Sequence, residues 1–167
     1  MRFAVAVLAT GLTVTAAGSV HTASRLNRLQ VRTDAAWAAL DAALRRRALV
    51  VSGLAGYLGV ARDTHPGGAA LHAAAEAALR AGATAREETE NELCRLLAKL
   101  DRAGLDSPCA ARLADAEQRV VIARRVYNDA VRDTVALRSR RTARWLRLAG
   151  TTPLPRYFEI AEPPQPG

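Results

Sequence analysis

Helix-breaking residues are scarce inside this chain, and their positions limit the fold to a few long helices. Two interior stretches read as breaks, the loop 63–68 with its Pro-Gly-Gly sequence and the turn 103–108. In the second stretch Gly104 suits a helix C-terminus, Ser107 an N-cap and Pro108 the first helical position. The remaining segments predict helices over roughly 22–62, 69–103 and 108–148.

Apolar residues recur at steps of three and four within these segments, as expected for the buried stripe of a helix. Half of the residues are hydrophobic and only 4% are aromatic, so the core is built from Ala, Leu and Val, of which Ala and Leu are strong helix formers. Short turns between helices of similar length predict antiparallel neighbours. The predicted fold class is therefore all-α. We predict an antiparallel bundle of three or four long helices, preceded by an N-terminal membrane helix that is described next. The stripe of the first helix comprises Leu29, Thr33, Trp37, Leu40, Leu44, Ala48, Val51 and Ala55.

The N-terminal segment 3–20 is uncharged over eighteen residues, just long enough to span a bilayer, which takes about 17–25 residues. Arg2 and the small residues of 15–17 also fit a cleaved secretory signal, which would release the remainder as an exported protein. The arginines that follow the segment favour a bundle on the cytoplasmic side of the cell membrane, attached by a single pass. We predict an anchor over 1–21, a bundle over 22–149 and a Pro-rich tail over 150–167.

The net charge of +8 and the pI near 10.9 raise the question of nucleic-acid binding. Acidic residues are interspersed with the arginines, and no zinc finger, RNA-binding sheet signature or basic zipper is present, so we place this function second. An up-down-up path through three helices predicts that the end of the third helix lies far from the membrane. The candidate partner surface at that end comprises Arg138, Arg140, Arg141, Arg144 and Arg147.

Residues with catalytic potential do not form a recognisable constellation. The run 86–92 contains four carboxylates, for which we prefer ion pairs with Arg124 and Arg125 of the third helix over acid–base chemistry. The Glu-x-x-His pattern of di-iron bundles is absent, the histidines have no credible ligand set, and two cysteines make no disulfide framework. We predict no catalytic residue, no metal, no cofactor and no enzymatic activity.

Two discontinuous blocks and the tail carry a family resemblance. The first block contains Asn27, Leu29, Ala36, Trp37, Leu44, Arg46, Arg47, Ala48 and Leu54, the second contains Glu117, Ala123, Arg124, Tyr127 and Asn128, and the tail contains Tyr157, Phe158 and Glu159. In these positions the chain resembles the LemA family of small membrane-anchored helical bundles. It departs from the family pattern at Leu49, Ser52 and Gly53. The resemblance implies an uncleaved anchor and a role in envelope organisation, with no established reaction or cofactor.

The leading hypothesis is a non-catalytic, membrane-tethered helical bundle that acts as an interaction or scaffolding module at the cell envelope. Its expected partners are the membrane and another protein. The alternative is a basic exported or peripheral protein that binds an anionic polymer, such as nucleic acid, through the C-terminal arginine cluster. The tail 156–159 is further expected to fold back and place its rings on the bundle.

Overall fold

The computed structural model describes residues 2–60, 67–139 and 154–160, and all regular structure in these ranges is α-helical. Side chains are described within them except those of residues 2–23, 26 and 57–60. The all-α class is confirmed for this part of the chain. The four helices are α1 (Arg2–Val60), α2 (Gly68–Arg80), α3 (Arg86–Leu97) and α4 (Ser107–Arg138).

The predicted single helix over 69–103 is wrong, because the chain leaves the helical path between α2 and α3. Ala81 is extended, with φ −63° and ψ 128°, and the Ala85 N–H donates to the Gly82 carbonyl at 3.2 Å to close a turn. The Ala-rich sequence around this turn favours helix, so the helix propensities of the residues did not predict the break. The second half also ends sooner than predicted, at Leu97.

The chain divides into two compact units, and each is described by itself. The second unit comprises residues 37–127 and 158–167 and holds the main hydrophobic core. Ser52 of α1 lies near His72 and Glu76 of α2, whereas Arg86 joins Asp41, earlier in α1, to Ala78, later in α2, so α2 runs antiparallel to α1. Asp41 and Arg47 of α1 contact Arg86 and Glu90 of α3 in the same order, so α3 runs parallel to α1. The core side chains are Ala48, Val51, Leu54, Ala55, Leu71, Ala74, Ala75, Ala78, Leu93, Leu97 and Leu113.

The first unit comprises residues 1–36 and 128–157, and in it α1 and α4 pack antiparallel. Arg32 Nη1 lies 3.1 Å from Asp133 Oδ2, and the buried hydroxyls of Thr33 and Thr134 are 3.0 Å apart. The Thr33 hydroxyl also lies within 3.4 Å of the Ala130 carbonyl. Residues before Thr33 therefore lie level with residues after Thr134, because both helices rise about 1.5 Å per residue in opposite directions.

This packing corrects the predicted up-down-up path. The break at 81–85 adds one reversal, so α4 is the fourth helical segment rather than the third and returns toward the start of α1. The end of α4 at Arg138 consequently lies about level with Arg28 and Leu29 in the same unit, rather than beside the C-terminal part of α1.

The predicted anchor over 1–21 falls on side chains that lie outside the described residues. The backbone of α1 is helical without interruption from Arg2. Among the residues that the structure describes, no helix is long and apolar enough to cross a membrane. The predicted helix end near 148 and the boundary at 150 also lie outside the described residues.

Candidate functional site

A buried ion pair joins α1 to α3 in the second unit. Arg47 Nη2 donates to Glu90 Oε2 at 2.5 Å, and Arg47 Nη1 lies 3.3 Å from Cys94 Sγ. Arg47 is 1% exposed and Glu90 is fully buried, values that charged side chains reach only when they are paired. Arg47 occupies this position because it lies on the face of α1 that also buries Leu44 and Val51, three and four residues away.

Arg86, the first residue of α3, connects three elements at once. Its Nη2 donates to Asp41 Oδ1 of α1 at 2.5 Å, and its Nη1 donates to the Ala78 carbonyl of α2 at 2.8 Å. A guanidinium bonded to a carbonyl in the last turn of a helix satisfies an acceptor that has no partner within the helix. Arg86 therefore caps α2, begins α3 and fixes the turn between them against α1.

The two arginines and the two carboxylates form one network without net charge. Burial raises the pKa of Glu90, while Arg47 and then Arg86 act to lower it. Burial alone would lower the pKa of Arg47, but Cys94 and Glu90 reverse this and raise it. Because the guanidinium keeps its proton throughout the accessible pH range, we expect Glu90 to be ionised at neutral pH.

The network is incompletely satisfied within the described residues. Arg47 Nε, Arg86 Nε and Glu90 Oε1 have no hydrogen-bond partner, although Glu90 Oε1 lies 4.0 Å from Arg86 Nη1. Buried polar atoms without partners cost about 1–3 kcal/mol each. The network therefore adds little to the free energy of unfolding of the bundle. Its main effect is to favour this one pairing of α1 with α3 over others.

The buried network includes one member of the acidic run 86–92 for which ion pairs were predicted. The expectation of ion pairs for the acidic run is met by Glu90, but its partner is Arg47 on α1 rather than Arg124 or Arg125 on α4. In the sequence, the one indication that Arg86 has a structural role was that it interrupts the apolar stripe of the segment predicted as a helix over 69–103. Asp41 had no such signal, since it lies beside the stripe and is 27% exposed.

An aromatic cluster lies elsewhere in the second unit. The rings of Trp37 and Tyr127 have centroids 5.3 Å apart and are tilted by 58°. Phe158 of the tail meets Trp37 edge to face at 5.7 Å and is 3% exposed. The Glu159 N–H donates to Glu87 Oε1 of α3 at 3.2 Å. The tail therefore folds back as expected, although it docks through Phe158 while Tyr157 is 45% exposed.

The other predicted residues are dispersed rather than gathered into a site. Asn27 is exposed in the first unit, and Arg46 is exposed with Nη2 3.8 Å from Asp115. Arg124 and Asn128 are half-buried and each makes an interaction within the structure. Arg138 is half-buried at the end of α4 and is likewise engaged, while Arg140, Arg141, Arg144 and Arg147 lie outside the described residues.

Two open grooves are found on the second unit. One, of about 500 Å³, is lined by Arg46, Leu49, Val50, Ala111, Arg112 and Asp115. The other, of about 690 Å³, is lined by α2 alanines and α3 side chains that include Glu87, Glu88 and Glu92. Neither is lined by Arg47 or Glu90. Within the described ranges, no three His, Cys, Asp or Glu side chains are grouped to hold a metal, and both cysteines are free.

Comparisons with protein-family models, with curated proteins and with solved structures find no match to this chain. The resemblance to the LemA family therefore rests on the motif residues alone. Of these, Trp37, Arg47, Tyr127 and Phe158 form the contacts described above.

Proposed function

We propose that this protein is a non-catalytic helical bundle that is tethered to the cell membrane and acts as an interaction or scaffolding module, as the LemA resemblance implies. The observation that carries the proposal is the burial of the Arg47–Glu90 pair. Arg47 and Glu90 hold α1 against α3, and neither described groove is lined by them.

The tether is proposed from the sequence of the N-terminus and supported by the backbone of α1. Residues 3–20 contain no charged side chain and lie in the same unbroken helix as Arg47. A membrane segment continuous with a bundle helix would hold the bundle at the bilayer surface without a flexible linker. The arginines after this segment favour a bundle on the cytoplasmic side.

Membrane fractionation of the full chain tests the tether. We expect the chain to stay with membranes through an alkaline carbonate wash and to retain its original N-terminus, and we expect deletion of residues 1–20 to release it. A mature protein that begins near Gly18 and appears free in the medium would refute the tether.

The scaffolding role is tested by affinity purification from detergent-solubilised membranes, with and without residues 1–20. A partner protein recovered in stoichiometric amount with the full chain, and depleted when the first 20 residues are removed, is the expected result. Recovery of the chain alone after chemical cross-linking in intact cells would contradict the role.

The alternative, binding of an anionic polymer through Arg138 and the arginines that follow it, is supported by the net charge of +8. It predicts salt-dependent binding of RNA or DNA that is lost when Arg140, Arg141 and Arg144 are replaced together. Absence of binding at low salt would remove this alternative.

A further inference from the structure

A strip of apolar side chains is exposed where α1 and α4 adjoin in the second unit. Arg46 of α1 lies 3.8 Å from Asp115 of α4, and both line one open groove, so the faces that carry them are neighbours. Residues three, four and seven positions apart lie on one face of a helix. By this spacing the joint face contains six exposed apolar residues, which we call the apolar strip: Ala39, Ala42 and Leu49 of α1, and Ala111, Ile122 and Val126 of α4.

The three large members of the apolar strip are turned toward solvent. Leu49 is 62% exposed, Ile122 is 52% exposed and Val126 is 49% exposed. Single exposed apolar residues are ordinary on a protein surface, but residues that adjoin across two helices form a patch of the kind that marks an interaction site. The strip therefore has the composition of a surface that another molecule covers.

Large and small side chains stand opposite each other across the seam between α1 and α4. The ring contact and the ion pair between the two helices show that they run antiparallel in this unit. Leu49 of α1 shares a groove with Ala111 of α4. Further along the pair, Ile122 of α4 lies about level with the alanines of α1. At each of these levels one helix presents a large apolar side chain and the other presents an alanine.

This arrangement makes the apolar strip complementary to itself. A two-fold axis that runs parallel to the helices in front of the strip sets α1 of one copy against α4 of a second copy at the same level. Ala42 then faces the second copy's Ile122, and Leu49 faces the second copy's Ala111. Each large side chain therefore meets a small one, so the two helix pairs can approach closely.

The charges at the edge of the strip permit this pairing but do not drive it. Arg46 of each copy lies opposite the second copy's Asp115, which supplies one ion pair on each side of the axis. Arg112 and Arg119 adjoin Asp115, so each edge has an excess of positive charge that opposes association. Because exposed ion pairs contribute little, the apolar contacts must supply the affinity.

The size of the strip indicates how such a dimer is held together. From Ala39 to Leu49 the strip is about 15 Å long, and two helices side by side are about 20 Å wide, which gives an area of about 300 Å². A stable interface between free proteins buries about 800 Å² on each partner. The strip is therefore too small to hold free chains together, whereas chains confined to one membrane reach a higher effective concentration. The same axis sets both copies of α1 in one direction, as attachment to one membrane requires.

We propose that the apolar strip binds the apolar strip of a second copy of this chain and forms a two-fold symmetric dimer at the membrane surface. This inference rests on the proposed tether for the concentration that it needs. It assigns the bundle a partner, and residues that recognise that partner, which the tether alone does not require.

Energy transfer between full chains that carry donor and acceptor fluorophores, reconstituted together in phosphatidylcholine vesicles, measures the association. I122E/V126E places charges within the strip and should weaken the association at least about tenfold. The matched control A73E/A77E adds the same charges at exposed positions of α2 and should leave the association unchanged. Because all four substituted side chains are exposed, circular dichroism of both variants should show the native helix content.

An exchange of side-chain size tests the symmetry of the contact. A42L should weaken the association because the added atoms meet the second copy's Ile122, and I122A should weaken it because Ala42 is then left uncovered. A mixture of A42L chains with I122A chains should associate about tenfold more tightly than either variant alone, since the enlarged position then faces the reduced one. Association that is strongest for A42L alone would reflect non-specific apolar contact and would overturn the dimer.

Flotation of the same vesicles separates this inference from the tether. A chain that floats and responds to these variants as expected supports both proposals. A chain that floats but transfers energy equally in the native and I122E/V126E forms keeps the tether and overturns the dimer. A chain that does not float refutes the tether, and sedimentation of the concentrated chain then decides: a mixed A42L and I122A dimer supports the inference, and monomers overturn it. Photocrosslinking in cells from a benzophenone side chain at position 122 to a different protein, without any cross-linked second copy, would overturn the dimer in favour of that partner.

Discussion

Removing one partner of the Arg47–Glu90 pair should destabilise the bundle strongly. Replacement of Arg47 by Met or of Glu90 by Leu leaves one charge buried where the native side chains are at most 1% exposed. Such unpaired burial costs about 3–5 kcal/mol, and Coulomb's law for charges 4 Å apart at an effective dielectric constant of 20 independently gives about 4 kcal/mol. Domains are stable by only about 5–15 kcal/mol, so each single variant should lose a large share of its stability.

The double variant R47M/E90L should recover most of that loss. It removes both charges together, fills the space with apolar atoms and leaves Arg86 paired with Asp41. Apolar replacements of whole buried ion pairs are often neutral or stabilising. We therefore expect the double variant to lie within about 1 kcal/mol of the native chain, although the two single losses sum to about 6–10 kcal/mol.

Urea unfolding in mild detergent, followed by far-ultraviolet circular dichroism, measures these free energies. The matched control is R46M, because Arg46 is the adjacent arginine, is 61% exposed and lies 3.8 Å from an exposed Asp115. It should change stability by less than about 0.5 kcal/mol. Single variants within about 1 kcal/mol of native, or a double variant as unstable as the worse single, would refute the reasoning.

Three further predictions follow from the second unit. D106A should weaken the start of α4, while D106N should preserve it, because Asp106 Oδ1 accepts the Cys109 N–H at 3.0 Å. Hydrogen bonds from the Cys109 thiol and backbone lower the pKa of Asp106 below its unfolded value. The stability that Asp106 contributes is therefore present above about pH 4 and is lost as the pH falls through the folded pKa. Unfolding curves for the native chain and D106A should converge in acid. F158A should cost up to about 3 kcal/mol and make the tail susceptible to proteolysis, whereas Y157A should be nearly neutral. G82A should preserve the break and raise stability by about 0.4–1 kcal/mol in thermal unfolding, since an added Cβ meets nothing within 4 Å; a loss of stability would contradict this.

The helical class and much of the buried stripe were predictable because they follow from apolar spacing. Leu40, Leu44, Ala48 and Val51 are fully buried at the positions that the periodicity of α1 indicates. The spacing of apolar residues within one helix indicates which face is buried, but it does not indicate which helix covers that face.

The break at 81–85 was not predictable from local preference, and it changed the topology. Alanines on both sides of Gly82 favour helix, and the turn is fixed by Arg86 through contacts with α1 and α2. Because one missed reversal inverts the direction of every later helix, the predicted place of Arg138 was wrong even though its helix was recognised. The partner of Glu90 was missed for the same reason.

The contact between Thr33 and Thr134 has a consequence for synthesis of the chain. These residues are 101 positions apart, and ribosomes add about 5–20 residues per second. Thr134 is therefore synthesised about 5–20 s after Thr33. The α2–α3 turn closes over only eight residues, between Ala78 and Arg86, and should form almost as soon as it is made. During that interval the part of the apolar stripe of α1 that packs against α4, around Thr33 and Trp37, is exposed to the cell. We expect nascent chains that stop before α4 to bind chaperones, and ribosome profiling with chaperone capture should show this binding end once α4 emerges.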